Sequence, residues 1–197
     1  MGRRSDKRER LLDAAAQAFW VEGYTATSLA DIAELSGVPL GNIYYYFKTK
    51  TDIAQGVADI FMEETLASLK NITSQSKTTA DAIKGFTTML KESAKARSEL
   101  GCPLAHAIRD FSPKAPAAAA KTNEVFETLI GWLSQTLNKG GDRQAMRHAK
   151  MAIARWQGAI ILAHAEKSEQ ILLEIINEVE HELLQWMQDM NAANQTA

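Results

Sequence analysis

Cysteine is nearly absent from this sequence, with a single residue, Cys102, in a chain of 197. One thiol excludes a disulfide framework and any site built from several thiolates. Apolar runs are short as well, because none approaches the roughly 20 residues that a membrane-spanning helix needs. The basic first residues are not followed by an apolar stretch, unlike those of a signal peptide. These absences predict a cytoplasmic protein without a membrane segment.

Sequence motifs of enzymes are missing too. The four histidines fall in neither HxxxH nor HExxH spacing, so no metal site is predicted. The chain has no GxxxxGK(S/T) phosphate loop and no GxSxG nucleophile elbow. We therefore expect no enzymatic activity and no cofactor.

Apolar residues recur instead at spacings of three and four, and the strict alternation of strands is scarce. This periodicity predicts an all-α protein of about nine helices. One of them is expected over about 79–97, after a polar linker at 71–77. The last two are expected over about 143–166 and 168–190.

A short helix, a glycine turn and a second short helix follow one another between residues 28 and 47. Ser28 and Asp31 have the spacing of a capping box, which predicts a helix start. Gly37 permits a left-handed backbone, and Pro39 favours the start of the next helix, at about 40–47. This order is typical of a helix-turn-helix motif.

The second helix of this motif carries three consecutive tyrosines, Tyr44–Tyr46. Ile43 and Phe47 are four residues apart and should anchor the helix to the core. Because consecutive helical residues point about 100° apart, the three tyrosines cannot all be buried. Exposed phenols can donate to phosphate oxygens, and Lys48 and Lys50 add positive charge. DNA binding is the favoured interpretation; the alternative is a small helical subdomain whose tyrosines cover apolar surface.

The segment from Ser28 to Lys50, above all Ile43-Tyr44-Tyr45-Tyr46-Phe47-Lys48-Thr49-Lys50, resembles the DNA-binding domain of the TetR family of repressors. The resemblance covers about residues 5–65. It implies an all-α chain in which residues 5–65 bind DNA and residues 66–197 form a helical effector-binding and dimerisation domain.

The resemblance also implies which side chains contact DNA. The phosphate backbone would be held by Tyr44, Tyr46 and Lys50, although Tyr46 stands where the family commonly has histidine. Base edges in the major groove would face Leu40, Gly41 and Asn42, of which Asn42 suits adenine. The complete predicted set is Thr27, Ser28, Pro39, Leu40, Gly41, Asn42, Tyr44, Tyr45, Tyr46, Lys48 and Lys50.

Charge is distributed unevenly, although the sequence pI is only about 6.1. Residues 1–50 carry a small net positive charge and the remainder a net negative one. An arm of Arg3, Arg4, Lys7 and Arg8 either follows the DNA or is a solvated terminus. With so few cations, one copy would bind weakly, so specific binding requires two copies on one duplex.

The last two predicted helices indicate a homodimer. The final helix has an apolar stripe wider than one core contact needs, and the helix before it is rich in small residues. The family resemblance favours the same pairing; the alternative is a monomer core with a broad stripe. The predicted interface consists of Gly158, Ile161, Leu172, Ile176, Val179, Leu183 and Trp186.

A small-molecule effector is the second expected partner, bound in an apolar cavity of the helical domain. The candidate lining is Phe61, Phe86, Met89, Leu90, Cys102, Leu104, His106, Ile108, Phe126 and Trp156, any of which could instead be plain core. Cys102 is either a sensor of oxidants and electrophiles or a small buried residue.

These observations together predict a transcriptional repressor that is released from operator DNA by a hydrophobic or electrophilic effector. The alternative is a helical small-molecule sensor or carrier that does not bind DNA.

Overall fold

The computed structural model describes the backbone of residues 3–195 and the side chains of residues 7–187. Within that backbone range the chain forms helices and no strand, which confirms the predicted all-α class. The helices are α1 (Arg3–Val21), α2 (Leu29–Ser36), α3 (Leu40–Tyr46), α4 (Lys50–Gln75), α5 (Thr79–Glu92), α6 (Ala94–Leu100), α7 (Pro103–Phe111), α8 (Pro116–Lys139), α9 (Ala145–Glu166) and α10 (Glu169–Gln195).

The helix predicted over 79–97 is divided in two at Ser93, so residues 3–195 contain ten helices where about nine are expected from the sequence. Ser93 Oγ donates to the Leu90 carbonyl at 3.2 Å and accepts from Arg97 Nε at 2.8 Å. A serine side chain that bonds to a nearby carbonyl competes with the helical hydrogen bonds. The break between α5 and α6 follows from that competition.

The prediction of a polar linker at 71–77 is wrong for most of that segment, because α4 continues to Gln75. Leu69 and Ile72 are buried and give this part of the helix an apolar side. Thr73 Oγ1 donates to the Leu69 carbonyl at 2.8 Å, so the hydroxyl is satisfied within the helix. Apolar burial therefore outweighs the polar composition of the segment.

Two compact units make up the chain. The amino-terminal unit holds the residues up to Glu64 together with Pro103–Val125, and the carboxy-terminal unit holds Thr65–Cys102 and the residues from Phe126 onward. The sequence-based division at residue 65 had assigned Pro103–Val125 to the second part of the chain. Helices α4 and α8 contribute residues to both units.

The core of the amino-terminal unit joins the helix-turn-helix segment to α1, α4 and α7. Phe19, Tyr24 and Phe111 are at its centre, with ring centroids 5.1 to 5.8 Å apart in edge-to-face contacts. Such pairs stabilise beyond the apolar area that they bury. Phe111, which comes from α7, is therefore part of the core that supports the helix-turn-helix segment.

In the carboxy-terminal unit, α10 packs against α5, α6 and α9. Leu172, Ile176, Val179 and Leu183 are at most 2% exposed within this single subunit. Their place in the predicted dimer interface must be corrected, because side chains already enclosed by their own subunit cannot contact a second one. These four residues belong to the core of their own subunit.

None of the helices in the described part of the chain is long and apolar enough to cross a membrane.

Candidate nucleic-acid interface

The start of α2 is held by the predicted capping box. The Ser28 backbone N–H donates to Asp31 Oδ2 at 2.6 Å, and the Asp31 backbone N–H donates to Ser28 Oγ at 3.2 Å. These hydrogen bonds, first from the backbone and then from the side chain of Ser28, lower the pKa of the Asp31 carboxyl. The cap sets where α2 begins and therefore where its turn to α3 falls.

The turn between α2 and α3 depends on Gly37, which adopts a left-handed backbone with φ of 63°. The Gly37 N–H donates to the Glu34 carbonyl and the Val38 N–H to the Ala33 carbonyl, each at 3.2 Å. Val38 is buried, which ties the turn to the core. The turn therefore directs α3 at a defined angle from α2.

Helix α3 is anchored on one side and open on the other. Ile43 and Phe47 are buried, as the four-residue spacing predicts. Leu40, Tyr44 and Tyr45 are 43%, 51% and 57% exposed, and they form the open side together with Pro39 and Gly41. An exposed face with two phenols and little charge can contact base edges and donate to phosphates without a large desolvation cost.

The three tyrosines differ in their burial and in their contacts with other residues of the chain. The Tyr44 hydroxyl has no hydrogen-bond partner within residues 7–187. Tyr46 is half-buried, and its ring meets that of Tyr45 edge to face at 5.0 Å. Tyr44 is therefore the phenol most available to a ligand.

The two lysines predicted to contact DNA already have partners within the DNA-free chain. Lys48 Nζ donates to the Tyr44 carbonyl at 3.1 Å, near the carboxyl end of α3. Lys50 Nζ lies 4.5 Å from the ring centroid of Tyr24. Burial and the nearby Lys114 ammonium lower the pKa of Lys50, while Asp31 opposes them. Lys50 would have to leave the aromatic ring to reach a phosphate.

Thr27 is a correction to the predicted set, because its side chain is only 3% exposed. Its Oγ1 donates to the Gly23 carbonyl at 2.9 Å, and its backbone N–H donates to the same carbonyl at 3.2 Å. Both donors are therefore used within the chain. Ser28 and Asn42 keep exposed or half-exposed positions.

Two arginines of α1 support the helix-turn-helix segment from within the amino-terminal unit. The Arg10 guanidinium donates to the Ser36 carbonyl at the end of α2. The Arg8 guanidinium lies over the Phe47 ring, 5.5 Å from its centroid. In the sequence, Arg8 is part of an arm that either follows the DNA or is a solvated terminus, and no spacing along the chain indicates its contact with Phe47. The side chains of Arg3 and Arg4 lie outside the described residues.

The predicted effector residues are divided between the two units. Phe61, Leu104, His106 and Ile108 belong to the amino-terminal unit, and Phe86, Met89, Leu90, Cys102, Phe126 and Trp156 to the carboxy-terminal unit. Phe61 borders a cavity of about 10 Å³, which holds no more than a water molecule. Met89 borders a polar groove of about 370 Å³ with Gly85 and Ile72. The effector set stays a prediction.

A mostly apolar groove of about 580 Å³, which the sequence analysis missed, lies between α4 and α8. Leu66, Leu69 and Trp132 line it, and the Trp132 indole N–H donates to Thr73 Oγ1 at 3.0 Å. Its residues come from segments about 60 positions apart, so spacing along the chain could not reveal it.

Outside these grooves, α9 exposes an apolar surface. Ile161 is 70% exposed and Leu162 54% exposed, and the space beside Gly158 is open to at least 4 Å. Trp186, another predicted interface residue, is half-buried and stacks on the His148 ring at 3.9 Å. Contiguous exposed apolar side chains of this kind mark interaction surfaces.

Two family profiles match the sequence. Residues 11–57 match the profile described as "Bacterial regulatory proteins, tetR family". Residues 79–178 match the profile described as "Transcriptional regulator LmrA/YxaF-like, C-terminal domain".

Individual relatives agree with the profiles. TtgR of Pseudomonas putida, an HTH-type transcriptional regulator, is 41% identical over 58 residues, which are 29% of this chain and only 28% of TtgR. LmrA of Bacillus subtilis, also an HTH-type transcriptional regulator, is 24% identical over 174 residues, or 86% of this chain and 93% of LmrA. Among solved structures, a TetR transcriptional regulator from Chloroflexus aurantiacus superposes with a TM-score of 0.81 at 24% identity, covering 94% of this chain and 98% of that one.

Proposed function

The chain belongs to the TetR family of bacterial regulatory proteins, and on that premise we propose that it represses transcription by binding operator DNA as a homodimer. A small hydrophobic or electrophilic effector, bound by the helical carboxy-terminal part, releases it. The proposal assigns α3 to the major groove.

The open side of α3 carries the proposal. Leu40, Tyr44 and Tyr45 are exposed together on the second helix of a capped helix-turn-helix motif, and neighbouring exposed apolar side chains mark an interaction surface. Phosphate contacts would come from Tyr44, Tyr46, Ser28, Lys48 and Lys50, and base contacts from Leu40, Gly41 and Asn42. Two copies would place their α3 helices in successive major grooves, roughly 34–36 Å apart.

Effector release is proposed to act through α4, which contributes residues to both compact units. An effector shifts the equilibrium between two conformations only by the difference in its affinity for them. It would stabilise the conformation in which the two α3 helices have the wrong spacing for the operator.

Operator binding is tested by a mobility-shift titration on the duplex upstream of the protein's own gene, at several salt concentrations. Tyr44→Phe removes one unpartnered hydroxyl, so we expect about a fivefold loss of affinity with unchanged stability. Lys50→Ala is expected to cost about tenfold and to reduce the salt slope by about one.

Lys77→Ala is the matched control, because this exposed lysine lies in the carboxy-terminal unit, remote in sequence from the motif. Its affinity and salt slope should equal those of the wild type. If the wild type shifts no duplex at low salt, the proposal fails and the chain is better described as a small-molecule sensor or carrier.

The homodimer is proposed to form through the exposed face of α9. Ile161→Asp puts a charge on the most exposed apolar side chain of that face. Burying an unpaired carboxylate costs several kcal/mol, so the dimer dissociation constant should rise by about 100-fold or more. Sedimentation equilibrium measures it, and operator affinity should fall with it.

Leu66→Asp serves as the control, since Leu66 is 50% exposed on α4 rather than α9. It should leave the subunit stoichiometry unchanged. An Ile161→Asp protein that remains dimeric at nanomolar concentration would place the interface elsewhere.

A further inference from the structure

Arg97, on the short helix α6 of the carboxy-terminal unit, is a partly buried cation without an anionic partner among the described side chains. Its Nε donates to Ser93 Oγ at 2.8 Å and its Nη1 donates to Cys102 Sγ at 3.4 Å. Its guanidinium carbon lies 4.9 Å from the ring centroid of Trp156. No carboxylate of residues 7–187 lies within ion-pair distance of it. Burial lowers the pKa of the guanidinium, and the Cys102 thiol only partly opposes this effect.

Two other arginines of the described residues do have anionic partners. Arg109 pairs with Asp110 at 2.8 Å, and Arg155 pairs with Glu178 at 2.9 Å and also with Glu182. The pair of Arg109 lies at the surface, where an ion pair contributes little. Taking a charge out of water is expensive unless an opposite charge compensates it. Arg97 has no such compensation from the described side chains, although burial lowers its pKa.

A second, independent observation concerns Trp156, which is packed against this guanidinium. Trp156 is 2% exposed, and its Nε1–H has no acceptor within the described side chains. A buried indole N–H normally finds a partner. The next residue, Gln157, likewise has a buried Nε2 without an acceptor. Among the described side chains, the indole ring beneath the Arg97 guanidinium therefore carries a buried donor without an acceptor.

The geometry points to Arg97 and Trp156 as the binding site for the carboxylate of an organic acid, so that the effector is an anion. A carboxylate only accepts hydrogen bonds when ionised, and its two oxygens match the planar guanidinium fork. The Nη2 group of Arg97 and the indole N–H of Trp156 have no acceptor among the described residues, and in the proposed complex each donates to one carboxylate oxygen. This inference deepens the proposed function and rests on it in one respect, because the acid is an effector only if the protein is released from DNA by a ligand. Binding of the acid itself does not require operator DNA.

Binding is tested on the full-length protein without DNA, by calorimetry and thermal shift, with matched pairs of probes. The carboxylates are benzoate, 4-phenylbutanoate and octanoate, and each is compared with its primary amide. We expect at least one carboxylate to bind about tenfold or more tightly than its amide, because a hydrogen bond between charged groups usually raises the affinity by that factor. Arg97→Met should abolish this preference, and Arg97→Lys should keep part of it because the charge remains.

One variant controls for general effects. Lys95→Met removes a positive charge from the exposed side of the same helix. It should keep the carboxylate preference. The inference is overturned if none of the three pairs shows a preference, or if Arg97→Met retains it. If the protein binds the acid but no operator, the carboxylate site is supported and the proposed function is wrong.

Discussion

Replacing Phe111 with alanine is expected to lower the free energy of unfolding of the amino-terminal unit by about 3–5 kcal/mol. The side chain is fully buried and meets the rings of Phe19 and Tyr24 at 5.8 and 5.2 Å. Removing the ring leaves a cavity and ends both aromatic contacts. Denaturant unfolding measures the loss, and operator affinity should fall with it because this core supports α2 and α3.

Arg109→Ala is the control for this variant, on the same helix and two residues away. The Arg109 side chain is 69% exposed, and its pairing with Asp110 at the surface should be worth little. Its stability should stay within about 0.5 kcal/mol of the wild type. A loss below about 1 kcal/mol for Phe111→Ala would mean that α7 is not part of the core beneath the helix-turn-helix motif.

Replacing Gly37 with valine is expected to cost about 2–3 kcal/mol and to abolish specific operator binding. The left-handed backbone at Gly37, with φ of 63°, is unfavourable for a β-branched residue. A Cβ there would lie 2.8 Å from Arg10 Nη2, which also donates to the Ser36 carbonyl. The turn would have to shift, and α3 would change its angle. Unfolding and mobility-shift titrations measure the two effects.

Gly41→Ala provides the matched comparison, four residues further along the chain. A Cβ at Gly41 meets no atom within 4 Å, and the residue lies in α3. Alanine should therefore keep or raise stability by up to about 1 kcal/mol. Because Gly41 is assigned to base edges, the same change should alter which operator sequence is preferred. Equal stability losses at the two glycines would show that backbone conformation is not the cause at Gly37.

Much of the fold follows from the sequence because helices depend on residues a few positions apart. The capping box of Ser28 and Asp31, the glycine turn and the burial of Ile43 and Phe47 all involve local spacing, and they were predicted correctly. The division at Ser93 was missed, since apolar periodicity continues across it while a single hydroxyl interrupts the backbone hydrogen bonds.

The candidate site was only partly predictable for the same reason. Exposure of Tyr44 follows from its angle on a short helix anchored by its neighbours. Burial of Thr27 cannot be predicted from its position in the sequence, because it depends on how the chain folds back between α1 and α2. In α10 the periodicity identified an apolar stripe but not which helices cover it, and α5, α6 and α9 of the same subunit do so.

By itself, the sequence determined an all-helical chain, a helix-turn-helix motif and the tyrosines that it presents, because each rests on interactions within about one or two helical turns. Only the tertiary structure decided that α7 completes the core beneath that motif and that Leu172, Ile176, Val179 and Leu183 of α10 are interior. It also decided that Arg97 has no anionic partner within residues 7–187. Those outcomes depend on contacts between residues far apart in the chain, whose partners are set by packing and charge in three dimensions rather than by spacing.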